Sequence, residues 1–151
     1  MNAVTRVTLR TPTDAEAEII RDLLERSGLP TGDLSAARPE FVVAAHDGQI
    51  VGVGALEHFG SAALLRSVAV EAQSRGSGVG RLIVEELERR ARSASISELI
   101  LLTLTARDFF ERLGYGARER GQVPPAVQES AEFRSLCPAS AVCMSKTLVP
   151  T

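Results

Sequence analysis

A short glycine-rich stretch between two apolar segments carries the clearest chemical signal in this sequence. Gly76, Gly78 and Gly80 alternate with single residues, and Arg75 and Arg81 flank them. Glycine leaves its backbone N–H group open to a ligand, and the first N–H groups of a helix carry partial positive charge. A tight turn alone accounts for one glycine more readily than for three. The stretch therefore predicts a loop that binds an anion, such as a phosphate group, at a helix N-terminus.

Two common phosphate-binding motifs do not fit this stretch. A P-loop ends in Gly-Lys-Ser/Thr, whereas this chain continues as Gly80-Arg81-Leu82 with no lysine nearby. A dinucleotide-binding fingerprint needs the spacing Gly-x-Gly-x-x-Gly and an acidic residue after a second strand, and neither feature is found here. A nucleoside triphosphate and a dinucleotide are thus both disfavoured as the ligand.

The elements that must position this loop are a strand before it and a helix after it. Residues 64–70 have the apolar, β-branched composition of a strand, and residues 81–95 repeat apolar side chains at helical spacing. Residues 98–104 are almost entirely apolar, as in a strand that is covered on both faces. The inward face of the helix is predicted to consist of Leu82, Ile83, Leu87 and Ala91.

Other strands are predicted on either side of this unit. Residues 41–46 and 50–57 flank Asp47-Gly48, a pair typical of β-hairpins because both positions tolerate positive φ. Residues 4–9 predict an edge strand, and residues 141–148 predict a final strand. The combination of an antiparallel hairpin with a strand-helix-strand unit indicates an α+β or mixed α/β fold with a central sheet.

Three further helices are predicted from capping residues and breaks. Thr13 and Glu16 form a capping box ahead of a helix that ends at Gly28. Thr105 is predicted to cap a short helix over ARDFFERLG, and another helix is predicted over residues 126–135.

The glycine stretch resembles a motif of a known enzyme family. Arg75, Gly78 and Gly80 form Arg-x-x-Gly-x-Gly after the strand RSVAV, and Gln73-x-x-Gly76-x-Gly78 gives a second register. This pattern resembles motif A of the GCN5-related N-acetyltransferases, the GNAT family, and ARDFFERLGY is similar to a later segment of that family. The resemblance implies one GNAT domain over residues 1–151, with a mostly antiparallel twisted sheet that is flanked by helices and splayed around the cofactor.

The resemblance also implies the co-substrate and its contacts. In the family, acetyl-CoA is bound by loop amides at its pyrophosphate and by a strand backbone at its pantetheine arm. The implied pantetheine contacts are Val68, Ala69 and Val70. The implied phosphate contacts are Arg75, Gly76, Ser77, Gly78, Val79, Gly80 and Arg81. The resemblance further implies that Thr103, Phe109 and Phe110 lie along the cofactor.

Acetyl transfer to an amine needs a group that removes a proton, and a carboxylate is the usual one. Glu57, at the end of the apolar strand VGVGALE, is our predicted base, although a strand end emerges into solvent as readily as into a cleft. Arg66 lies inside an apolar strand, where an unpaired charge would be costly. We expect it either to pair with an internal carboxylate such as Glu57 or to bind an anionic substrate.

The proton donor for the departing CoA thiolate is not evident. Many family members have a tyrosine where this chain has Phe110, and a phenyl ring donates no proton. Cys137, Cys143, Ser140 and water are the alternatives. Cys143 is predicted to be a core residue, whereas Cys137, beside a proline in a turn, is predicted to face the substrate.

The segments LPTGDL, VGVGALEHFG, LLRSVAV, LLTLTARDFF and FRSLCPASAVCMSK resemble the GNAT subfamily encoded in bacterial arsenic-resistance operons. A phenylalanine in place of the tyrosine is usual there. This resemblance implies acetylation of a small amino acid-like amine, such as an arsenical or phosphinate analogue of glutamate. Alternatives are an amino acid acetyltransferase like bacterial N-acetylglutamate synthase, to which the tail LCPASAVCMSK is similar, and a non-catalytic acyl-CoA-binding sensor.

Composition limits the other partners. The net charge is -2, and Lys146 is the only lysine, so no basic patch for nucleic acid is evident. The two cysteines lack ligand neighbours at zinc-site spacing, and no apolar run reaches the length of a membrane span. We therefore expect no metal, nucleic acid or membrane partner and a cytoplasmic location. Homodimers are frequent in the family.

Overall fold

A computed structural model of the protein describes residues 7–149, and one mixed sheet forms its centre. The strands are β1 Thr8–Arg10, β2 Glu40–His46, β3 Gln49–Phe59, β4 Ala62–Val70, β5 Glu98–Thr103, β6 Gly116–Ala117 and β7 Val142–Thr147. They are arranged in the order β1-β2-β3-β4-β5-β7-β6. Only the β4–β5 pair is parallel among these described strands. The predicted mixed α+β class with a mostly antiparallel sheet is confirmed.

Helices cover both faces of this sheet. They are α1 Ala17–Arg26, α2 Leu34–Ala37, α3 Val79–Ser93, α4 Arg107–Arg112 and α5 Pro125–Gln128. Single 3₁₀ turns occur at Asp14–Glu16, Ala72–Ser74 and Arg120–Gln122, and a π-helical turn spans Glu132–Leu136. Helix α3 packs its buried residues against one face of the sheet, and α1 packs against the other. None of the helices in residues 7–149 is long and apolar enough to cross a membrane.

Several predicted boundaries need correction. The predicted helix over residues 126–135 is broken into α5 and the π-helical turn, and between them the Ser130 hydroxyl accepts a hydrogen bond from the Phe133 N–H group at 3.4 Å. Thr105 does not cap α4, because the N-cap residue is Ala106 and no side chain of the described residues makes a cap hydrogen bond there; the Thr103 Oγ1 atom accepts the Ala106 N–H group at 3.0 Å in the turn before the helix. Leu82 is only partly buried on α3, and Val84 is buried in its place. Of the predicted first strand, residues 4–6 lie outside the described part.

The hairpin between β2 and β3 has the predicted turn. Asp47 and Gly48 have φ values of 51° and 79°, and the adjoining strands pair antiparallel. Left-handed backbone at both turn positions matches the right-handed twist of the two strands, which explains why an Asp-Gly pair was a reliable signal.

Two glycines in β3 allow α3 to lie directly on the sheet. A Cβ atom on Gly52 would come within 2.7 Å of the Ile83 side chain, and one on Gly54 would come within 2.6 Å. Because real Cβ atoms do not approach so closely, these positions admit no side chain unless the helix moves. The close contact fixes where the N-terminus of α3 meets the end of β4.

The sheet splits between β4 and β5. These strands pair only from Ala62 to Leu64 on β4, opposite residues 98–100, and then separate. On its other side β4 carries a bulge, where Ser67 and Val68 stand opposite the single residue Gly54 of β3. Ser67 takes a positive φ of 59°, which is uncommon for a residue with a side chain. The split opens a cleft inside the sheet.

Candidate active site

The cleft between the separated halves of β4 and β5 has a volume of about 730 Å³, within the range of small-ligand sites. At one end it is lined by the predicted glycine loop. At the other end it is lined by residues 27–30, which follow α1, and by Glu132 and Cys137 from the C-terminal part of the chain. We call these the loop end and the acceptor end.

The loop end presents a row of free backbone donors. From Gly76 to Arg81, no backbone N–H group donates to an acceptor within the described residues, and the first helical bond is made by Leu82 to the Gly78 carbonyl. Helix α3 begins directly after Gly78. Consecutive free N–H groups at a helix N-terminus are suited to bind phosphate oxygens.

The three positions of the loop are glycine for different structural reasons. Gly76 and Gly78 have φ values of 81° and 91°, a backbone conformation that other residues rarely adopt. Gly80 lies inside α3, and a Cβ atom there would be 3.3 Å from the Phe109 ring. The loop thus needs glycine at two positions for its turn, and glycine at the third allows a close contact with α4.

The predicted cofactor contacts nearly all line the cleft. These are Val68, Ala69, Val70, Arg75, Gly76, Gly78, Gly80, Arg81, Thr103, Phe109 and Phe110. Ser77 and Val79 are not among the lining residues, because the Ser77 hydroxyl donates to the Ser74 carbonyl and the Val79 side chain is buried in the core. Their N–H groups still belong to the free row.

Both arginines of the loop are exposed. Arg75 Nε donates to the Val70 carbonyl at 3.1 Å, so its side chain folds back over the end of β4. Arg81 forms an ion pair at 3.0 Å with Glu85, one turn further along α3. The backbone of the loop therefore supplies the fixed donors, and the arginines supply positive charge that can rearrange.

At the acceptor end, Arg66 is the centre of a buried charge cluster. Its side chain is 0% exposed, and its two terminal nitrogens donate to both oxygens of Asp33 at 2.6 and 2.7 Å. One of them also donates to Glu57 at 3.0 Å, and Arg66 Nε lies 3.6 Å from Glu132. The structure thus has the first of the two predicted arrangements for Arg66, namely pairing with internal carboxylates.

This pairing sets the ionisation of the cluster. Burial alone would lower the pKa of the Arg66 guanidinium, but its bonds with Asp33 and the nearby carboxylate charges raise it. The hydrogen bond from Arg66 lowers the pKa of Asp33. Arg66 consequently stays charged. It is among the residues that line the cleft, but its side chain is 0% exposed and its terminal nitrogens already donate to Asp33 and Glu57.

Glu132 is the site residue that the sequence did not reveal. It lines the cleft, whereas the predicted base Glu57 is not among the lining residues. Burial raises the pKa of Glu132 to about 7, with smaller contributions from the charges of Asp33 and Glu57 and an opposing one from Arg66. The only sequence signal for Glu132 was its nearness to Cys137.

Cys137 also lines the acceptor end, as its position beside a proline predicted. Burial, together with the charge of Glu132, raises the pKa of its thiol to about 11. The thiol is therefore protonated at neutral pH and is a poor nucleophile. Cys143 is buried in β7, and both cysteines are free.

Residues 37–116 match the family described as the acetyltransferase (GNAT) domain. A protein of Chlorobaculum tepidum named as an uncharacterized N-acetyltransferase is 32% identical over 113 residues, covering 74% of this chain and 70% of that protein. The chain belongs to the GNAT acetyltransferase family. It is an N-acetyltransferase, and acetyl-CoA is its co-substrate.

Solved structures of GNAT acetyltransferases share the fold. The N-acetylglutamate synthase of Neisseria gonorrhoeae, solved with coenzyme A and N-acetyl-glutamate, has a TM-score of 0.81 and 21% identity over 95% of this chain. This chain spans only 35% of that enzyme's length. Rv2747 of Mycobacterium tuberculosis, solved with CoA and NLQ, has a TM-score of 0.80 and 27% identity, covering 94% of this chain and 99% of the other.

The residues present fit this co-substrate. The free N–H row from Gly76 to Arg81 suits a pyrophosphate, and the split between β4 and β5 leaves one edge of β4 without a strand partner beyond Leu64. Phe110, buried against Phe109 and Tyr115, cannot protonate a thiolate. Tyr115 does not replace it, because its hydroxyl donates to Glu88 inside the core.

Proposed function

We propose that this GNAT acetyltransferase transfers the acetyl group of acetyl-CoA to the amino group of a small amino acid-like molecule. The observation that carries the proposal is the continuous cleft from the glycine loop to an acceptor end lined by a buried carboxylate. A cleft of this size, between two strands inside the sheet, suits a small molecule better than a folded protein surface.

Relatives support the same class of acceptor. The Neisseria enzyme is named an N-acetylglutamate synthase, and its structure contains N-acetyl-glutamate. Since identity to it is only 21%, the likeness concerns the fold. The motif resemblance to the arsenic-resistance subfamily favours an arsenical or phosphinate analogue of glutamate within this class. An ordinary amino acid such as glutamate is the alternative acceptor.

The charges at the acceptor end favour an orientation for the acceptor. Asp33, Glu57 and Glu132 surround the single cation Arg66, so this end carries net negative charge when Glu132 is ionised. An ammonium group is attracted there, whereas a substrate carboxylate next to Arg66 would be repelled. We therefore propose that the acceptor enters with its amino group towards Glu132 and its acidic group away from Arg66.

Binding of the co-substrate can be tested without knowing the acceptor. A ligand that binds only the folded state at a hundred times its Kd stabilises it by about 2.7 kcal/mol. For a domain of this size, acetyl-CoA is then expected to raise the Tm by roughly 5–10 °C. An unchanged Tm at saturating acetyl-CoA would contradict the proposal.

The acceptor is tested by measuring free CoA thiol over a panel of amines. The panel contains glutamate, a phosphinate analogue and an arsenical analogue of glutamate, with N-acetylglutamate as the blocked control. We expect thiol release with at least one free α-amine and none with the control. Binding of acetyl-CoA without thiol release on any amine would instead support the non-catalytic sensor.

A further inference from the structure

We infer that Glu132, on the π-helical turn between α5 and β7, is the general base that accepts the proton of the acceptor ammonium. This inference rests on the proposed transfer to an amine and adds the residue that performs its first step. Glu57, the base predicted from the sequence, instead holds Arg66 in place through a hydrogen bond.

The positions of the two carboxylates carry the inference. Glu132 lines the cleft beside Cys137, although its side chain is only 6% exposed. Within residues 7–149 its carboxylate accepts no hydrogen bond, and its nearest charge partner is Arg66 Nε at 3.6 Å. Glu57 is hydrogen-bonded to Arg66 at 3.0 Å and does not line the cleft. A base must reach the proton that it removes, and only Glu132 faces the space where the acceptor would lie.

The surroundings of Glu132 suit a base that works near neutral pH. The charged and titratable groups that face it are Arg66 from β4, Glu57 from β3, Asp33 ahead of α2, and Cys137 from its own segment. Arg66 is already shared among carboxylates, so it neutralises Glu132 only in part. Burial and the two other carboxylates therefore keep the proton affinity of Glu132 high enough to deprotonate an ammonium group.

The acetyl transfer and its proton transfers can be completed by Glu132, the acceptor and water. Glu132 takes one proton from the acceptor ammonium and becomes a neutral carboxylic acid. The nitrogen lone pair then attacks the thioester carbon, the C–N bond forms, and the C–S bond breaks with its electron pair on sulfur. The second proton of the nitrogen passes to that sulfur to give CoA thiol, and Glu132 returns its proton to water. No side-chain acid is required at Phe110.

Glu132→Gln, an isosteric change, tests the inference, and Glu129→Gln in the same segment is the matched control because Glu129 is exposed and only weakly paired. We expect Glu132→Gln to lower kcat by about 10²–10⁴-fold at neutral pH while acetyl-CoA still raises its Tm. The acidic limb of the pH–rate profile should disappear, and raising the pH until the amine deprotonates should restore part of the rate. A kcat within a few-fold of wild type, with the acidic limb intact, would overturn the assignment.

Glu57→Gln separates the two carboxylates. If Glu132 is the base, removing the charge of Glu57 lowers the pKa of Glu132, so the acidic limb should move to lower pH and persist. If Glu57 is the base, this variant loses the limb and Glu132→Gln keeps it. The two variants therefore give opposite results under the two assignments.

A titration keeps the inference testable if no amine is acetylated. Carboxyl ¹³C NMR of the protein with labelled glutamate, assigned by Glu132→Gln, reports the proton affinity of Glu132 directly. A midpoint near pH 7 supports the assignment, and a midpoint typical of an exposed glutamate overturns it. Failure of every acceptor in the wild-type protein, by contrast, would count against the proposed function.

Discussion

The two ends of the cleft present different chemical groups, backbone N–H groups at the loop end and charged side chains at the acceptor end. The loop end consists of consecutive residues whose backbone N–H groups make no hydrogen bond within residues 7–149, with side chains absent at Gly76 and Gly78. The charge cluster at the acceptor end consists of Arg66 and carboxylates from three other parts of the chain, with side chains that are at most 12% exposed. The first arrangement depends on local backbone conformation, and the second depends on the whole fold. Damage to the two ends should therefore have different consequences for stability and for ligand binding.

Loss of Arg66 should break the acceptor end most severely. Arg66→Met leaves the buried carboxylates of Asp33 and Glu57 without their partner, and removing one member of a buried ion pair costs about 3–5 kcal/mol. Urea unfolding measures the change. Arg107→Met, which removes the exposed pair with Glu111 at 3.4 Å, is the control and should cost no more than about 1 kcal/mol. A similar cost for both variants would show that the cluster is not desolvated.

Glu132→Gln should have the opposite effect on stability. The folded-state pKa of Glu132 is raised from 4.5 to about 7, so its contribution to stability is present below pH 4.5 and is lost as the pH rises through 7. Since each tenfold change in proton affinity is worth about 1.4 kcal/mol, the variant should be more stable than wild type at pH 8, by at most about 3.5 kcal/mol. At pH 4 the gain should vanish. Thermal unfolding at both pH values, with Glu129→Gln as control, tests this sign.

A substitution at the loop end should weaken acetyl-CoA binding by changing the backbone conformation. Gly78→Ala places a Cβ atom on a residue with a φ of 91°, which costs roughly 1–2 kcal/mol or displaces the free N–H row. We expect weaker acetyl-CoA binding by calorimetry, together with a lower Tm. Gly121→Ala is the matched control, because Gly121 has no atom within 4 Å of its added Cβ and no positive φ. If the two variants bound acetyl-CoA with equal affinity, the backbone N–H groups from Gly76 to Arg81 would not be part of its binding site.

The smallest effect is expected at Arg81. Its side chain is 67% exposed and pairs with Glu85 on the helix surface, so Arg81→Gln should change the unfolding free energy by less than about 0.5 kcal/mol. Any loss of acetyl-CoA affinity should shrink as salt is added, because exposed charges are screened. A salt-independent loss would indicate direct, desolvated contact with a phosphate.

The same contrast explains which features were predictable. The hairpin at Asp47-Gly48 and the loop at residues 76–80 follow from conformations that few residue types tolerate, so their sequences are direct evidence. Glu132 and Asp33 meet Arg66 only because the sheet brings distant segments together, and no spacing in the sequence reports that. Glu57 was the carboxylate that the sequence indicated, because it ends an apolar strand, but it is not among the residues that line the cleft. The broken helix at Ser130 was missed because composition does not predict a π-helical turn.

The network around Tyr115 has a consequence for a protein that binds a reactive thioester. Lys146 is the only lysine in the sequence, and its ammonium group donates to both Glu88 oxygens at 3.1 Å and to the Leu113 carbonyl at 2.9 Å. A side-chain nitrogen held by these three contacts is not free to approach a thioester. Self-acylation of lysine, a common background reaction of surface lysines, is thereby suppressed, so mass added on incubation with acetyl-CoA should not be found at Lys146.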